Sequence, residues 1–182
     1  TLDGFTFQCT NSSNCAGRVH IGYDGACYSG YTTTNVTVQN CTFKGWDNPT
    51  SSTDNENGLR LTNTGYCTIK NNKLYNFKQS SDYHNTAAIQ SYHGIHNIYE
   101  NNEVYDSTAA IYDKSDGAYN TYRYNFLHDI AYGLFILTNT CTQLNGTAYH
   151  NIISKFTHEG LTIEGSDSSV STWTIYNNTI YT

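Results

Sequence analysis

Short runs in which apolar and polar residues alternate recur along the whole chain, whereas no segment keeps apolar residues on one helical face over three turns. Such alternation predicts β-strands, because successive side chains of a strand point to opposite sides. One alternating phrase occurs six times, at residues 37–43 (TVQNCTF), 68–74 (TIKNNKL), 98–104 (IYENNEV), 121–127 (TYRYNFL), 148–153 (AYHNII) and 174–180 (TIYNNTI). The pattern therefore predicts an all-β protein with few or no helices.

The spacing of this phrase predicts a solenoid. Its fifth position, which is the fourth in the shorter copy at 148–153, recurs after 23 to 31 residues and is occupied by Cys41, Asn72, Asn102, Asn125, Asn151 and Asn178. A second phrase lies between the copies, at residues 58–61 (GLRL), 87–91 (AAIQS), 109–113 (AAIYD), 133–137 (GLFIL) and 160–164 (GLTIE), with 19–22 (VHIG) as a looser first member. A unit repeated at this period builds a stack of coils, so we expect residues 1–182 to form one β-solenoid domain.

Alternate positions of these strands are expected to face the core. They form three columns: Val38, Ile69, Tyr99, Tyr122, Ala148 and Ile175; Phe43, Leu74, Val104, Leu127, Ile153 and Ile180; and Leu59, Ile89, Ile111, Leu134 and Leu161. On the outward side Lys73 faces Glu103, and Lys70, Glu100 and Arg123 alternate in sign on neighbouring rungs. Opposite charges on adjacent strands stabilise a sheet, so we interpret these residues as sheet surface rather than as a site.

The repeated Asn falls where a strand bends into the next one. Asn tolerates left-handed backbone geometry, and stacked buried amides can hydrogen-bond to one another. This Asn ladder, with a G/A-I/L-x-I/L strand in each coil, resembles the right-handed parallel β-helix repeat of the pectin-lyase-like superfamily. The resemblance implies a right-handed parallel β-helix of about six coils. It leaves activity open, because the superfamily holds polysaccharide lyases, glycoside hydrolases, epimerases, tailspikes and surface proteins.

Neither end of the sequence shows the amphipathic helix or polar cap that closes most solenoids. We therefore expect a β-helix that is uncapped at both ends and is a segment of a longer rod or a stacking unit. Head-to-tail self-association into a filament is the corresponding expectation.

Composition narrows the possible partners. Fifteen Asp and Glu against nine Lys and Arg give a net charge of −6, which argues against nucleic acid and against anionic membranes. The longest apolar run, residues 133–137, is too short to span a bilayer. Six cysteines, together with glycosylation sequons at Asn11, Asn35, Asn40, Asn145 and Asn177, indicate an extracellular or cell-surface glycoprotein.

The cysteines are predicted to differ in state. Cys27 and Cys67 fall in loops on the same edge of neighbouring coils, and Cys9 and Cys15 share an early loop, so we predict these two disulfides. Cys41 replaces Asn in the ladder and is expected to be a buried free thiol. Cys141 has no evident partner.

The resemblance also implies where a ligand would lie. In that superfamily substrates lie along the outer face of the G/A-I/L-x-I/L strands, which here carries His20, Arg60, Gln90, Tyr112, Phe135 and Thr162. We expect glycans to contact Arg60, Gln90, Tyr112 and Phe135, with the two aromatic rings as stacking faces. A plain exposed sheet face would give the same pattern and remains an alternative. His128 with Asp129, and Asp82 with His84, are further candidate base-and-orienter pairs.

Polar residues are densest between Gln90 and Asp116. Asp113 occupies an inward column that elsewhere holds Leu61, Ile136 and Ile163, and such breaks favour functional sites. A lyase needs a base, for which Lys114, His93 or Tyr112 could serve. It also needs a cation to stabilise an enolate, either Arg60 or a calcium ion bound by Asp113 and Asp116. The alternative is a tight DKSDG turn whose Asp side chains bond their own backbone.

None of the catalytic motifs of the superfamily's alginate epimerases, polygalacturonases or pectate lyases occurs in this chain. The sequence therefore favours a non-catalytic structural or adhesive β-helix module that stacks end to end or within a longer rod and contacts glycans. The alternative is a fragment of a polysaccharide lyase or glycoside hydrolase acting on acidic polysaccharide. Calcium is the only cofactor that the residues suggest.

Overall fold

The computed structural model describes residues 1–9, 19–23, 32–45, 57–78, 85–115, 117–137, 145–165 and 172–182. Within these ranges all regular elements are β-strands, and none is a helix. The strands are β1 (Leu2–Asp3), β2 (Thr6–Gln8), β3 (Val19–Gly22), β4 (Thr33–Thr34), β5 (Thr37–Gln39), β6 (Thr42–Lys44), β7 (Asn57–Thr62), β8 (Thr64–Gly65), β9 (Thr68–Lys70), β10 (Lys73–Tyr75), β11 (Ala87–Tyr92), β12 (Ile98–Glu100), β13 (Glu103–Lys114), β14 (Asn120–Arg123), β15 (Phe126–Leu137), β16 (Asn145–Tyr149), β17 (Ile152–Glu164), β18 (Thr172–Tyr176) and β19 (Thr179–Tyr181).

The strands stack in parallel as a β-solenoid of about four turns. Sheet 1 has the order β1-β5-β9-β12-β14-β16-β18. Sheet 2 has the order β19-β17-β15-β13-β10-β6-β2. Strand β11 pairs with the second half of β13, β7 pairs with β11, and β3 pairs with β7. We call the part around β6 and β10 the first flank and the part around β7 and β11 the second flank. The predicted all-β parallel solenoid is thus confirmed, whereas the six coils and the right hand stay predictions.

The three core columns are confirmed residue by residue. Val38 pairs with Ile69, Phe43 with Leu74 and Leu59 with Ile89, and each column continues through the later rungs in the expected register. Most of these side chains are fully buried in one continuous core. Since burial of a Leu, Ile, Val or Phe side chain is worth about 1.5–3 kcal/mol, the stacked columns are the main source of stability.

The outward charges pair as expected from adjacent strands. Lys73 Nζ lies 3.3 Å from Glu103 Oε2, and Arg123 Nη2 lies 2.5 Å from Glu100 Oε2. Both pairs join neighbouring rungs, and they support their interpretation as part of the sheet surface.

The bends between strands carry residues with left-handed backbone. These residues align in four columns: Asn40, Asn71, Asn101, Tyr124, His150 and Asn177; Asn35, Tyr66, His96 and Tyr119; Asn76, Asp106, Asp129 and Lys155; and Asn63, His93 and Ser115. The left-handed residue in the first column precedes each ladder Asn instead of being that Asn. The ladder Asn is therefore used for its side-chain amide and not for its backbone tolerance.

The Asn ladder is confirmed by its hydrogen bonds, and we call it the first ladder. Asn102 Nδ2 donates to Ile69 O at 2.9 Å and to Asn125 Oδ1 at 3.0 Å. Asn102 Oδ1 in turn accepts from the backbone N and the Nδ2 of Asn72, both at 3.1 Å. The same bonds recur from Cys41, whose backbone N donates to Asn72 Oδ1, through to Asn178. Each amide thus satisfies buried groups of both neighbouring rungs.

The predicted cysteine states are partly confirmed. Cys41 is a buried free thiol, as expected, and Cys9 is in a disulfide whose partner lies outside the described residues. Cys67 is also a buried free thiol, so the predicted bridge between Cys27 and Cys67 is wrong. The reason is that Cys67 occupies an inward position, where its Sγ lies 3.5 Å from Gly65 O instead of facing the loop edge. Cys15, Cys27 and Cys141 lie outside the described residues.

At the edge formed by β18 and β19, two core columns reach the surface. Ile175 is 47% exposed and Ile180 is 45% exposed, although Ala148 and Ile153 on the preceding rung are fully buried.

Across the described ranges, no helix has the length and apolar character needed to cross a membrane.

Candidate functional site

The column implied as the ligand-binding face lies on the second flank, in the expected register. Gln90 pairs with Arg60 and Tyr112, and Tyr112 pairs with Phe135. These side chains point away from the main core, where Tyr112 and Phe135 form a small apolar cluster of their own. Yet Gln90 is fully buried, and Tyr112 and Phe135 are only 1% and 4% exposed. The two rings therefore offer no open stacking face in this structure, and glycan contact along this column stays a prediction.

Part of the cover over this column comes from neighbouring side chains. The ring of Tyr132 meets that of Phe135 edge-on at 5.5 Å, and the ammonium of Lys114 lies 5.2 Å from the ring centroid of Tyr112. Gln90 Nε2 donates to Asn85 O at 3.1 Å. The alternation of the strand shows which way these residues point, but it cannot show what covers them.

The half-exposed layer above the column is cationic. The ring of Tyr92 lies 4.8 Å from the guanidinium of Arg60 and 4.5 Å from the ammonium of Lys114. Lys114 Nζ also donates to Asn85 Oδ1 at 2.8 Å. Two positive charges that share one aromatic ring favour a negatively charged or electron-rich ligand on this part of the second flank.

Asp113 lies inside the solenoid, as its column predicted. It pairs with Ser91 and Ile136 and is almost fully buried. Its Oδ2 accepts hydrogen bonds from Asn120 Nδ2, at 2.8 Å, and from the Tyr122 hydroxyl. The tight-turn alternative is thus not what holds this carboxyl group, because the bonded partners are side chains of β14.

Burial raises the pKa of Asp113 to about 6, although the bonds from Tyr122 and Asn120 favour its ionised form. Burial also raises the pKa of Tyr122, which keeps its hydroxyl protonated as a donor. Gly117 fits closely against this carboxyl group, since a Cβ there would lie 2.5 Å from Asp113 Oδ2. The carboxyl group is therefore enclosed by its partners.

The predicted catalytic and metal candidates come together only in part: Arg60, Tyr112 and Lys114 share the outer face of the second flank. Asp113 is on an inward column, whereas Lys114 follows it on the outer face. His93 is buried at a left-handed bend, where its backbone N donates to Ser115 O at 2.9 Å. Asp116 lies outside the described residues, and within the described ranges no cluster of three or more His, Cys, Asp or Glu could hold a metal.

His128 and Asp129 do form the predicted pair. His128 Nδ1 lies 2.7 Å from Asp129 Oδ2, and this bond lowers the pKa of Asp129. The imidazole stacks on Tyr105 with ring centroids 5.2 Å apart. The pair lies on the first flank, with Asp129 at the left-handed bend between the two halves of β15, and is therefore separate from the cationic layer. Asp82 and His84 lie outside the described residues.

The sequons differ in accessibility. Asn35, Asn40 and Asn177 are exposed, Asn145 is half-buried, and Asn11 lies outside the described residues. The side chain of Asn40 donates to Asp3 Oδ1 at 2.8 Å. Whether any of them carries a glycan stays a prediction.

Two features were not found from the sequence. A second ladder, formed by Cys67, Asn97 and Asn120, runs along the other end of sheet 1, and the backbone N of each earlier member donates to the next amide oxygen at 2.8–2.9 Å. One residue before each of these positions, the rings of Tyr66, His96 and Tyr119 stack in the second left-handed column. The available signal was the residue before each second-ladder position, which is aromatic or His in three consecutive coils.

No protein-family model matches the chain, and no curated protein matches it. The likeness to the pectin-lyase-like superfamily therefore rests on the ladder and the strand phrases alone.

Proposed function

We propose that the chain is a non-catalytic structural module of an extracellular or cell-surface β-helix, which stacks end to end on further rungs and contacts glycans. The observation that carries this proposal is the exposed edge at β18 and β19. Ile175 and Ile180 continue core columns that are fully buried on the preceding rung. A rung of the same kind docked there would bury both side chains and pair the open backbone edge.

The opposite edge has a complementary character. Leu2 and Phe7 are half-buried members of the same two columns, and Phe7 stacks on Phe43 with ring centroids 5.0 Å apart. A second copy could therefore place β1 and β2 against β18 and β19 with the columns in line. Such a contact between unlike edges is head-to-tail and extends into a filament.

The extracellular setting is supported by the disulfide at Cys9, since disulfides persist in oxidising compartments. We also infer a right-handed helix, because crossover connections between parallel strands of one sheet are right-handed in about 98% of cases. The first ladder and the G/A-I/L-x-I/L strands support membership of the pectin-lyase-like superfamily.

Sedimentation velocity over a range of protein concentrations tests the stacking. We expect the wild-type chain to associate and the double variant Ile175→Lys with Ile180→Lys to remain monomeric. Ile152→Lys is the matched control, because Ile152 is equally exposed but lies on an outward column. A wild-type chain that stays monomeric at high concentration would overturn the stacking.

The cationic layer favours a second candidate function, a polysaccharide lyase or hydrolase acting on acidic polymer. Arg60 and Lys114 could bind uronate carboxylates on either side of Tyr92. Incubation with polygalacturonate or alginate, followed by detection of unsaturated products and reducing ends, tests this reading. Depolymerisation that is abolished by Lys114→Ala would replace the structural proposal with the enzyme.

A further inference from the structure

The rings of Tyr66, His96 and Tyr119 form an exposed stack, which we call the corner stack. Adjacent centroids are 4.9 Å apart, and the ring planes are within 10° and 11° of parallel. The spacing matches the distance between neighbouring strands, so the ring normals run along the direction in which rungs are stacked. Each inner ring face is therefore covered by the next ring.

In the part of the chain that the structure describes, the stack ends at Tyr119, because the next two rungs have no aromatic residue in this column. Asn145 and Thr172 take the place of the next rings, and Asn145 O accepts from the backbone N of Tyr119. A cleft of about 320 Å³ opens beyond Tyr119, lined by Tyr119, Asn145, Gly146, Thr147, Thr172 and Thr174. Tyr119 is 53% exposed, and its second ring face is directed into this cleft.

The described residues that line the cleft are all uncharged. Thr147 and Thr174 pair on adjacent strands of sheet 1, so their side chains point the same way about 4.8 Å apart. The side chain of Asn145 is held in place, because its Oδ1 accepts from the backbone N of Thr172 at 3.0 Å. The cleft thus offers one aromatic ring beside three threonine side chains and one fixed amide.

We propose that this cleft binds one ring of a neutral saccharide chain, stacked on the free face of Tyr119. A pyranose has an apolar face that fits an aromatic ring, and its hydroxyls fit Thr and Asn side chains. The volume is at the small end of the range for ligand sites, about 300–1,000 Å³. Acidic sugars are disfavoured, since none of the described residues lining the cleft is a cation and the chain has a net charge of −6.

The site differs from the column on the second flank, because it lies on sheet 1 at another corner. The inference rests on the proposed function, and it specifies the saccharide class and the location of the glycan contact proposed there. It does not depend on end-to-end stacking.

Isothermal titration calorimetry on the full chain tests the proposal with cellohexaose, xylohexaose and mannohexaose, and with hexagalacturonate as the acidic comparison. The chain is made in a host that adds no N-linked glycans, because Asn145 lies in a sequon. We expect at least one neutral hexasaccharide to bind and Tyr119→Asn to weaken it about ten-fold or more. Asn suits this site because Asn35 occupies the same column with left-handed backbone.

Two matched variants make the result specific. Tyr119→Phe keeps the ring and should bind within about two-fold of wild type, and Tyr66→Asn removes the far ring of the corner stack and should also leave binding unchanged. Thr147→Val with Thr174→Val should weaken binding without changing the thermal unfolding temperature.

Three outcomes would overturn the inference. They are no binding of any neutral hexasaccharide, neutral binding that survives Tyr119→Asn, and hexagalacturonate binding at this cleft as tight as that of the neutral sugars. If binding survives Tyr119→Asn but is lost in Arg60→Ala with Lys114→Ala, the glycan contact of the proposed function stands and this site falls.

Discussion

The first ladder and the surroundings of Asp113 are two ways in which this solenoid buries polar side chains. In the first ladder every amide is neutral, and each inner one bonds to both neighbouring rungs, as Asn102 does with Asn72 and Asn125. Asp113 occurs once, and its Oδ1 has no hydrogen-bond partner of good geometry among the described residues. A repeated amide thus loses little free energy on burial, because each rung supplies its hydrogen-bond partners. A single buried carboxyl group depends on local partners instead, and its pKa is shifted.

The Asp113 surroundings touch the second ladder, and they do so through one residue. Asn120 ends the second ladder, where its Oδ1 accepts from the backbone N of Asn97, and its Nδ2 donates to both Gly94 O and Asp113 Oδ2. The Asp113 carboxyl group therefore accepts the hydrogen bond that, in the first ladder, goes to the Oδ1 of the next Asn. We expect the second ladder to be more sensitive to pH than the first.

Breaking the first ladder should have the largest effect. Asn102→Leu leaves the backbone N of Asn72 and the carbonyl of Ile69 without their partners inside the core. Because each buried group left unpaired costs about 1–3 kcal/mol, we expect the free energy of unfolding to fall by about 4 kcal/mol. Urea denaturation measures it. Asn101→Gly is the control, since Asn101 is exposed and left-handed, and an equal loss there would contradict the assigned role.

The Asp113 surroundings should respond to pH. Its pKa rises from an ordinary value of 3.8 to about 6 on folding, so the folded state favours the protonated form. The contribution to stability is full below the unfolded pKa and is lost as the pH rises through about 6, by about 3 kcal/mol in total. Asp113→Asn cannot ionise, so its advantage over the wild type should grow with pH.

Urea denaturation of both proteins below pH 3.8 and above pH 6 measures this difference. The change between the two pH values isolates the ionisation, because any fixed cost of the Asn side chain cancels. Identical pH dependence in the two proteins would show that Asp113 is not the titrating group.

Extending the first ladder should have the smallest effect. Cys41 stands at its head, and Cys41→Asn would supply an amide able to donate toward the carbonyl of Leu2, as Asn72 donates to Val38 O. We expect a gain of about 0.5–1 kcal/mol in the free energy of unfolding, against a loss for Cys41→Ala. Thermal unfolding ranks the three proteins, and a Cys41→Asn variant less stable than Cys41→Ala would contradict the ladder geometry.

The parts of the fold that repeat could be predicted from the sequence. The columns through Val38, Phe43 and Leu59 and the first ladder follow from one phrase copied along the chain, so each copy supports the register of the others. The second ladder has only three members and begins at a Cys, and a pattern that short does not stand out from a chain rich in Asn.

The candidate site was less predictable, because the alternation of residues shows which face of the sheet a side chain is on but not which other residues bury it. The register of Tyr112 and Phe135 was correct, but their burial depends on Tyr132, Lys114 and other side chains that the alternation does not specify. The state of Cys67 was mistaken for the same reason: its placement in a loop was inferred from distance along the chain, whereas its inward position is set by the second ladder.

The left-handed bends have a consequence for how such a chain can change. In the first three columns of these corners the side chain is exposed or half-exposed while the backbone conformation is fixed by the rungs above and below, and Asn, Tyr, His, Asp and Lys all occupy them. A substitution there costs at most the small left-handed penalty of the new residue and leaves the core columns untouched. Surface chemistry and folding are thereby encoded at separate positions, so a new binding specificity can be acquired at a corner, one rung at a time, on an unchanged scaffold.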